Sequence, residues 1–401
     1  MLQRLLVAIA LLALTSACAA KLVRDPLPAQ HVDTAQVAGL PQIRFWGDAA
    51  PPDFDAFANR HAALFRKHYA DELAAGEPIT LHFLALSGGA EDGAFGAGLL
   101  KGWTASGTRP EFWLVTGVST GALMAPFVFL GPEYDHVLRE IYTELDATSL
   151  FELAPFKALF GGTAVTKTEP FKRTIARYVD EALLEAVAAA HAEGRNLFVA
   201  TSNLDAGRPM IWDLGELADS GDPRALQLFR DILLASAAIP GVFPPVMFDV
   251  VAGGQTYDEL HVDGGVGAQV FTYPLQVTPR RLDAAVGRPI DRELYVIRNT
   301  RLIPAYEAVD PRAVPIAERS LAVLISRQGL GDIFRIYTAA KRDGLAFHLA
   351  YIPPEFDHPL PKPFDQAYMG ALFELGYEMG RSGTAWSDAP PGVAIEPAER
   401  Q

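Results

Sequence analysis

The sequence predicts an α/β fold in which a mostly parallel sheet is covered by helices on both faces. Three apolar runs, at residues 80–86, 112–116 and 197–204, have the length and composition of buried strands. Glycine-containing turns follow the first two runs and open helical segments. Continuous apolar strands that alternate with helices are typical of a parallel sheet with both faces buried. We therefore expect a three-layer α/β/α arrangement.

The rest of the chain continues this alternation and contains no internal repeat. Apolar periodicity and turn residues bound each segment. The pattern predicts helices at 53–75, 122–130, 226–238, 315–340 and 366–379, one or two helices within 169–192, and strands at 43–46, 210–214, 255–262, 293–297 and 346–352. We expect one domain at 41–385, followed by a flexible tail at 386–401.

Composition and charge restrict the class of protein. The chain has 401 residues, half of them hydrophobic and a fifth charged, which is typical of a globular protein with a substantial core. Its formal net charge of −14 argues against nucleic acid as a partner, because phosphate binding requires clustered Lys and Arg. There is no H-E-x-x-H motif, cysteine cluster or EF-hand loop. The sequence therefore predicts neither a metal nor a cofactor.

The first 18 residues have the layout of an export signal that ends at a cysteine. The apolar run 5–14 is shorter than the roughly 20 residues that a membrane span needs. Small residues then lead into Cys18, the only cysteine of the chain. This layout resembles the lipobox of bacterial lipoproteins, in which the cysteine is acylated. The resemblance implies a signal peptide at 1–17, a lipid-anchored tether at 18–40 and, because Ala19 is not aspartate, an outer-membrane lipoprotein whose domain faces the periplasm. The alternative is an ordinary cleaved signal peptide with an incidental cysteine.

Residues 117–121, GVSTG, have the form G-x-S-x-G between an apolar strand and an apolar helix. A serine nucleophile must stand clear of the sheet, and a tight strand-to-helix turn exposes its hydroxyl. Gly117 and Gly121 let the neighbouring backbone pass without a Cβ clash. The start of the following helix also favours negative charge beside the serine. The pattern predicts Ser119 as a nucleophile held in a nucleophile elbow.

A second glycine-rich turn, GGAEDG at residues 88–93, precedes the nucleophile turn. It follows a strand and opens a helix, so its backbone N–H groups point outward, as an anion or oxyanion site requires. A nucleotide-binding loop is the rival interpretation. Neither G-x-G-x-x-G nor G-x-x-x-x-G-K occurs there, and the turn contains no lysine or arginine. An oxyanion site is therefore the favoured interpretation.

A third strand ends in DGG at residues 263–265. The order strand–GGAEDG, strand–GVSTG, strand–DGG within one α/β domain resembles the patatin-like phospholipases. That family has a glycine-rich oxyanion loop, a G-x-S-x-G nucleophile turn and a D-G-[GA] motif that carries the aspartate of a catalytic dyad. The similarity extends to residues 201–213 and 235–246.

The resemblance implies a patatin-like three-layer fold and a serine lipid acyl hydrolase of the phospholipase A or carboxylesterase type. Ser119 would be the nucleophile and Asp263 its base. The backbone amides of Gly88, Gly89 and Ala90 would form the oxyanion hole. The substrate would be a membrane lipid or a lipid-like ester, reached from the membrane to which the N-terminal lipid anchors the protein.

The oxyanion turn departs from the family pattern G-G-G-x-[KR]-G at two positions. Ala90 replaces the third glycine, and Asp92 stands where a basic residue is expected. A backbone with positive φ would not suit Ala90. A carboxylate of Asp92 that pointed inward would oppose the charge of an oxyanion. These departures leave open a weakly active or inactive lipoprotein that binds lipid or a partner protein. An acyltransferase is a third possibility, since an acyl-serine can also react with an alcohol.

Histidines supply the other open alternatives. The α/β-hydrolases combine G-x-S-x-G with a late histidine, and His348 and His358 lie late enough in the chain. His261 lies two residues before Asp263, so the two side chains share one face of the strand. It is either a structural residue or one that tunes the site. Phe243 is likewise either part of an acyl pocket or loop packing.

Overall fold

The computed structural model describes residues 24–51, 54–145, 147–150, 152–153, 166–304, 306 and 308–393. The predicted signal peptide and Cys18 lie outside the described residues. The strands are β1 (Arg44–Trp46), β2 (Thr80–Leu86), β3 (Leu114–Val118), β4 (Glu152–Leu153), β5 (Thr166–Lys167), β6 (Asn196–Asn203), β7 (Arg208–Asp213), β8 (Val246–Ala252), β9 (Gln255–Asp263), β10 (Asp291–Arg298) and β11 (Ala346–Tyr351).

The helices lie between the strands and cover the sheet. They are α1 (Phe54–His68), α2 (Ala70–Ala75), α3 (Gly93–Ala105), α4 (Thr120–Leu130), α5 (Asp135–Thr143), α6 (Ala147–Leu150), α7 (Glu169–Tyr178), α8 (Glu181–Ala192), α9 (Leu214–Asp219), α10 (Ala225–Ser236), α11 (Arg280–Val286), α12 (Ala313–Asp343) and α13 (Gln366–Ser382). Among the described residues, no helix combines the length and the apolar character needed to cross a bilayer.

Nine strands form one mixed sheet with the order β1-β7-β6-β3-β2-β10-β11, and β9 and β8 extend it from β6. The five strands from β6 to β11 are mutually parallel. β1, β7, β8 and β9 join by antiparallel pairing. The predicted fold class, a mostly parallel sheet flanked by helices, is confirmed.

Side chains alternate between two cores, which places a helical layer on each face of the sheet. Leu84 and Leu86 of β2 join a core that includes residues of α3, α4, α10 and α13. Phe83 and Ala85 of the same strand join a core that includes residues of α1 and α12. We refer to these sides as the α3 face and the α12 face.

The α3 face is held by a close pairing of α3 with α13. A Cβ at Gly98 would collide with the carbonyl oxygen of Phe373, and one at Gly376 would collide with that of Phe95. Glycine on both helices therefore lets the two backbones touch. This pairing brings the first turn of α13 beside the start of α3, where the glycine-rich turn lies.

The boundaries of some strands and helices differ from those predicted from the sequence, because a glycine or a local packing contact sets where the element ends. β3 ends two residues later than predicted, because Gly117 carries no strand signal but pairs with Leu86. The predicted helix 53–75 breaks at Tyr69, whose ring packs against Trp113. β8 was not predicted, although the Gly253-Gly254 turn through which it forms a hairpin with β9 is a recognisable hairpin signal.

The predicted tether is wrong for its described part, because residues 24–40 pack on the β8–β9 hairpin. Arg24 forms ion pairs with Asp205 and Asp258 at 2.5 and 2.7 Å. Gln36 exchanges backbone hydrogen bonds with Val251. Apolar side chains of this segment, at positions 27, 35, 37 and 40, are buried. The segment contains prolines and its apolar residues follow no helical or strand period, so its packing could not be predicted from the sequence.

The predicted tail also begins too early. Trp386 packs against Trp103 and Tyr295, with ring centroids 4.8 and 5.0 Å apart. Ser387 and Leu349 exchange backbone hydrogen bonds of 2.8 and 2.9 Å. The folded body therefore extends past residue 386 along the edge strand β11.

Candidate active site

Ser119 occupies the turn between β3 and α4 in a strained backbone conformation. Its φ is 55° and its ψ is −123°, a region that non-glycine residues rarely adopt. The turn is so tight that a Cβ at Gly117 would lie 2.5 Å from the carbonyl oxygen of Gly121. A Cβ at Gly121 would collide with the carbonyl oxygen of Leu86. The flanking glycines are thus sterically required, as a strand-turn-helix elbow demands.

Asp263 ends β9 beside this elbow. The Ser119 hydroxyl donates to Asp263 Oδ2 at 2.6 Å, and the Gly265 amide donates to Asp263 Oδ1 at 2.7 Å. A Cβ at Gly264 would collide with the carbonyl oxygen of Ala200 in β6. The first glycine of DGG therefore lets the aspartate approach the sheet, and the amide of the second fixes its carboxylate.

Burial sets the electrostatics of the pair. Asp263 is only 6 % exposed, and this desolvation raises the pKa of its carboxyl to about 6. The hydrogen bonds from Ser119 and Gly265 act in the opposite direction, because they stabilise the carboxylate. The carboxylate is therefore a stronger base than an ordinary aspartate while it is still ionised at neutral pH.

Ser236 is a site residue that the sequence analysis did not single out. Its hydroxyl accepts a hydrogen bond from the Ser119 amide at 3.0 Å and donates to the Ala200 carbonyl at 2.7 Å. It thereby ties the strained turn to β6. Its position inside the segment 235–246, which was noted for similarity, was the available signal.

The glycine-rich turn lies against the end of β10. The Asn299 amide donates to Ser87 Oγ at 2.8 Å, and Asn299 Nδ2 donates to the Ser87 carbonyl at 2.9 Å. A Cβ at Gly89 would collide with the Asn299 carbonyl. The Gly88 amide donates to the Gln269 carbonyl at 3.1 Å, so this predicted oxyanion donor already has an acceptor. The roles of Gly88, Gly89 and Ala90 as oxyanion donors stay predictions.

Ala90 adopts a φ of 48°, the left-handed conformation in which a side chain is strained. Ala90 therefore replaces the third glycine of the family pattern at a position where glycine is favoured. Changing Ala90 to Gly should raise the free energy of unfolding by up to about 1 kcal/mol, because relief of strain outweighs the added freedom of the unfolded chain. Urea unfolding measures this difference.

A matched control lies in α8, where Ala189 is exposed in a helix interior. Ala189→Gly should lower the free energy of unfolding by up to about 1 kcal/mol, since glycine costs stability in a regular helix. Equal losses in both variants would contradict the strain at Ala90.

Asp92 is engaged by α13. Its Oδ1 accepts a hydrogen bond of 2.6 Å from the Tyr368 hydroxyl. Burial raises the pKa of Asp92 to about 6, while the Tyr368 bond and the charges of Arg301 and Arg298 lower it. Arg298 is itself 2 % exposed. The carboxylate that the sequence placed in the turn is thus held by a hydroxyl and partly compensated by two arginines.

A small cavity of about 60 Å³ opens beside Ser119. Its walls are mainly apolar and come from α4, α5, α7, α13 and the segment after α10. The lining includes Ala90, Leu123, Ile141, Phe171, Ile239, Phe243 and Met369. Phe243 therefore faces the same cavity as Ser119, which favours the acyl-pocket interpretation over loop packing alone.

The structure does not bring the alternative histidines between Ser119 and Asp263, whose side chains bond directly. His348 lies on β11, three strands from β3, and stacks on Tyr295. His358 is half-buried beside Phe356. His261 is fully buried, with ring nitrogens 2.8 Å from Thr201 Oγ1 and 3.2 Å from Glu259 Oε2. Within the described residues, no group of three or more His, Cys, Asp or Glu side chains could hold a metal ion.

In this α/β fold, a serine in a strand-to-helix turn donates a hydrogen bond to a buried aspartate. This arrangement is typical of a hydrolase site. Residues 84–275 match the model of the family described as patatin-like phospholipase. This match supports a lipid-hydrolysing activity. The sequence matches no curated protein.

Two solved structures are similar to the chain at low identity. One is the crystal structure of VipD from Legionella pneumophila, with a TM-score of 0.37 and 12% identity over 77% of this chain and 67% of that chain. The other is human GIVD cytosolic phospholipase A2, with a TM-score of 0.30 and 11% identity. The similarity covers 83% of this chain and 54% of the human chain, about half of its length.

Proposed function

We propose that this protein is a serine lipid acyl hydrolase of the phospholipase A or carboxylesterase type, which acts through an acyl-serine at Ser119. The observation that carries the proposal is the 2.6 Å hydrogen bond from the strained Ser119 hydroxyl to the buried carboxylate of Asp263. A nucleophile in direct contact with a base of raised pKa is the arrangement that general-base catalysis needs.

In the first half-reaction, Ser119 Oγ attacks the ester carbonyl carbon while its proton passes to Asp263 Oδ2. The resulting oxyanion would be held by the amides of Gly89 and Ala90, since the Gly88 amide already donates to Gln269. When the tetrahedral intermediate collapses, the C–O bond of the alcohol group breaks. Protonated Asp263 returns the proton to that leaving oxygen, and an acyl-serine remains.

In the second half-reaction, water attacks the acyl-serine and gives a proton to Asp263 as it forms the new C–O bond. Collapse releases the carboxylic acid, and the proton returns to Ser119 Oγ. Asp263 thus acts as base and then as acid in each half. A carboxyl with a pKa of about 6 suits both tasks near neutral pH.

Apolar surface near the site supports a lipid substrate. The cavity beside Ser119 is lined mainly by apolar side chains. Gln328 of α12 donates to the Gly267 carbonyl at 2.9 Å, which places this part of α12 next to the DGG turn. Leu321 and Leu324 lie one to two helical turns earlier and are 59 % and 67 % exposed. Clustered exposed leucines are typical of surfaces that meet membranes or partners.

Ester hydrolysis and its pH dependence test the proposal together. With p-nitrophenyl butyrate, kcat/KM should fall about tenfold per pH unit below a midpoint of about 6, because Asp263 accepts the serine proton only as a carboxylate. An ordinary aspartate would place this limb near pH 4. Circular dichroism at each pH separates the titration from unfolding. No turnover by the folded protein would overturn the proposed function, and a limb near pH 4 would overturn the role of burial.

We also propose that Cys18 carries a lipid that anchors the protein to the outer membrane on its periplasmic side. Five residues lie between Cys18 and Arg24, which is already fixed to the β8–β9 hairpin through Asp258. The six Cα–Cα steps span at most about 22 Å, so the hairpin would lie close to the bilayer surface. The anchor would thereby hold the enzyme at its substrate.

Metabolic labelling tests this anchor. Cys18→Ala should abolish incorporation of radiolabelled palmitate and release the protein from the membrane fraction, because the acylated side chain is lost. Persistent labelling of the variant would overturn the proposal, as would an unlabelled wild type.

A further inference from the structure

A second and larger cavity lies on the α12 face, away from Ser119. Its volume is about 550 Å³, within the range of small-molecule sites. It is bounded by the first residues of β3 and β6, by α1 and by the segment 273–282. Leu114, in its wall, begins β3, whereas Ser119 follows the last residue of that strand. The two sites are therefore separated by about 16 Å along β3 and lie on opposite faces of the sheet.

The walls are mainly apolar and rich in aromatic rings. Side chains from β1, β2, β3 and β6 form one wall and α1 contributes another. The aromatic members include Phe45, Phe57, Phe83, Trp113 and Phe198. A pocket of this size with such walls suits an apolar ligand.

Four buried polar side chains among the lining residues have atoms without a hydrogen-bond partner. They are Arg44 Nε, both ring nitrogens of His61, Asn196 Oδ1 and Arg292 Nε. Each side chain belongs to a residue that is at most 7 % exposed. Unpaired buried polar atoms are costly and rare in native proteins.

The charges of the lining favour an anionic head group. Three arginines line the cavity, against one carboxylate, Asp213, in a chain of net charge −14. Arg44 and Arg292 already form ion pairs with Glu259 and Asp283. Arg60 is paired most weakly, with its Nη2 3.8 Å from Glu216 Oε2, and its side chain is 45 % exposed. It is the cation best placed to receive a ligand's charge.

We propose that this cavity binds one long-chain fatty acid, with the chain between the aromatic walls and the carboxylate at Arg60. The size of the cavity suits a single acyl chain, and the exposed side chain of Arg60 leaves the head group near solvent. The inference stands without the proposed function. If that function holds, the ligand belongs to the class of compound that the enzyme releases.

Photo-cross-linking of the full-length chain tests the proposal. A palmitic acid analogue with a diazirine in its chain and a terminal alkyne is irradiated with the protein, and the modified peptides are identified by mass spectrometry. Cross-links should fall on α1 and on segment 273–282, in the wild type and equally in Ser119→Ala. Palmitate should compete at least about tenfold better than hexadecanol, which lacks the charge that Arg60 would bind. Cross-links confined to residues around Ser119 would overturn the proposal.

Three variants sharpen the test. Ala58 lines the cavity from α1, whereas Ala63 of the same helix is exposed and lies outside the lining. Ala58→Trp should fill the cavity and reduce cross-linking at least fivefold, while Ala63→Trp should leave it unchanged. Arg60→Gln should weaken competition by palmitate about tenfold but not by hexadecanol. Undiminished cross-linking in Ala58→Trp, or equal palmitate competition in Arg60→Gln, would contradict the site.

Discussion

Ser119→Ala should reduce kcat/KM for p-nitrophenyl butyrate by about 10⁴-fold or more, because no covalent intermediate can form without the hydroxyl. The Ala200 carbonyl and Ser236 should still anchor the turn, since the bond to Ser236 comes from the backbone amide of residue 119. The KM is expected to change little, so the loss should appear in kcat. Initial-rate kinetics on purified variant and wild type measure it.

Substitution of Ser236 provides a control that disturbs the position of the Ser119 turn but leaves the nucleophilic hydroxyl intact. Ser236→Ala removes an acceptor from the Ser119 amide and a donor to Ala200 but leaves the nucleophile in place. Its activity should therefore fall much less than that of Ser119→Ala. A Ser119→Ala variant with more than about a tenth of wild-type activity would exclude an acyl-serine mechanism at this residue.

Asp263→Asn should lower kcat/KM by about 10²- to 10⁴-fold, because an amide cannot take the serine proton. The fold should be retained, since asparagine can still accept from the Gly265 amide and hydrogen-bond to the Ser119 hydroxyl. Activity and urea unfolding on the same preparation measure the two effects separately.

The Asp263→Asn substitution should raise the stability of the fold while it lowers the activity. Because the folded-state pKa of Asp263 lies near 6, above its value of 3.8 in an exposed chain, its ionisation weakens the fold as pH rises through this interval. The penalty is absent below pH 4 and complete above pH 6. Two pKa units correspond to about 3 kcal/mol, so Asp263→Asn should be more stable than wild type at pH 8 by up to about that amount.

The advantage of Asp263→Asn should shrink when unfolding is measured at pH 5. A fully active variant would require another base, and a variant destabilised at pH 8 would mean that the buried carboxylate is not penalised. Either result would contradict the assigned electrostatics of Asp263.

The sequence predicted the elements that present the site because glycine, apolar runs and order along the chain all carried information. GVSTG and DGG lie at strand ends, as expected. Gly117, Gly121 and Gly264 each lie so close to a backbone carbonyl that a Cβ would collide with it, which explains these glycines. The alternation of apolar strands with helices was sufficient to predict the mostly parallel sheet. These features depend on local sterics and burial, which one sequence can express.

Long-range packing could not be predicted in the same way. The bond from Tyr368 to Asp92 joins residues 276 positions apart, and it decides where the unexpected carboxylate points. The packing of residues 24–40 on the β8–β9 hairpin depends on partners more than 200 residues away, such as Asp258 for Arg24. The second cavity likewise draws its walls from distant segments, so no motif marks it.

Covalent labelling of the full-length protein by a fluorophosphonate, followed by peptide mass spectrometry, tests whether Ser119 is an activated nucleophile. A fluorophosphonate captures only a serine whose hydroxyl is activated and whose oxyanion site is formed. We expect one adduct, on the peptide that contains Ser119, and none in Ser119→Ala. A folded wild-type protein that stays unmodified, or an adduct on a different serine, would contradict it and favour a lipoprotein that binds lipid or a partner without turnover.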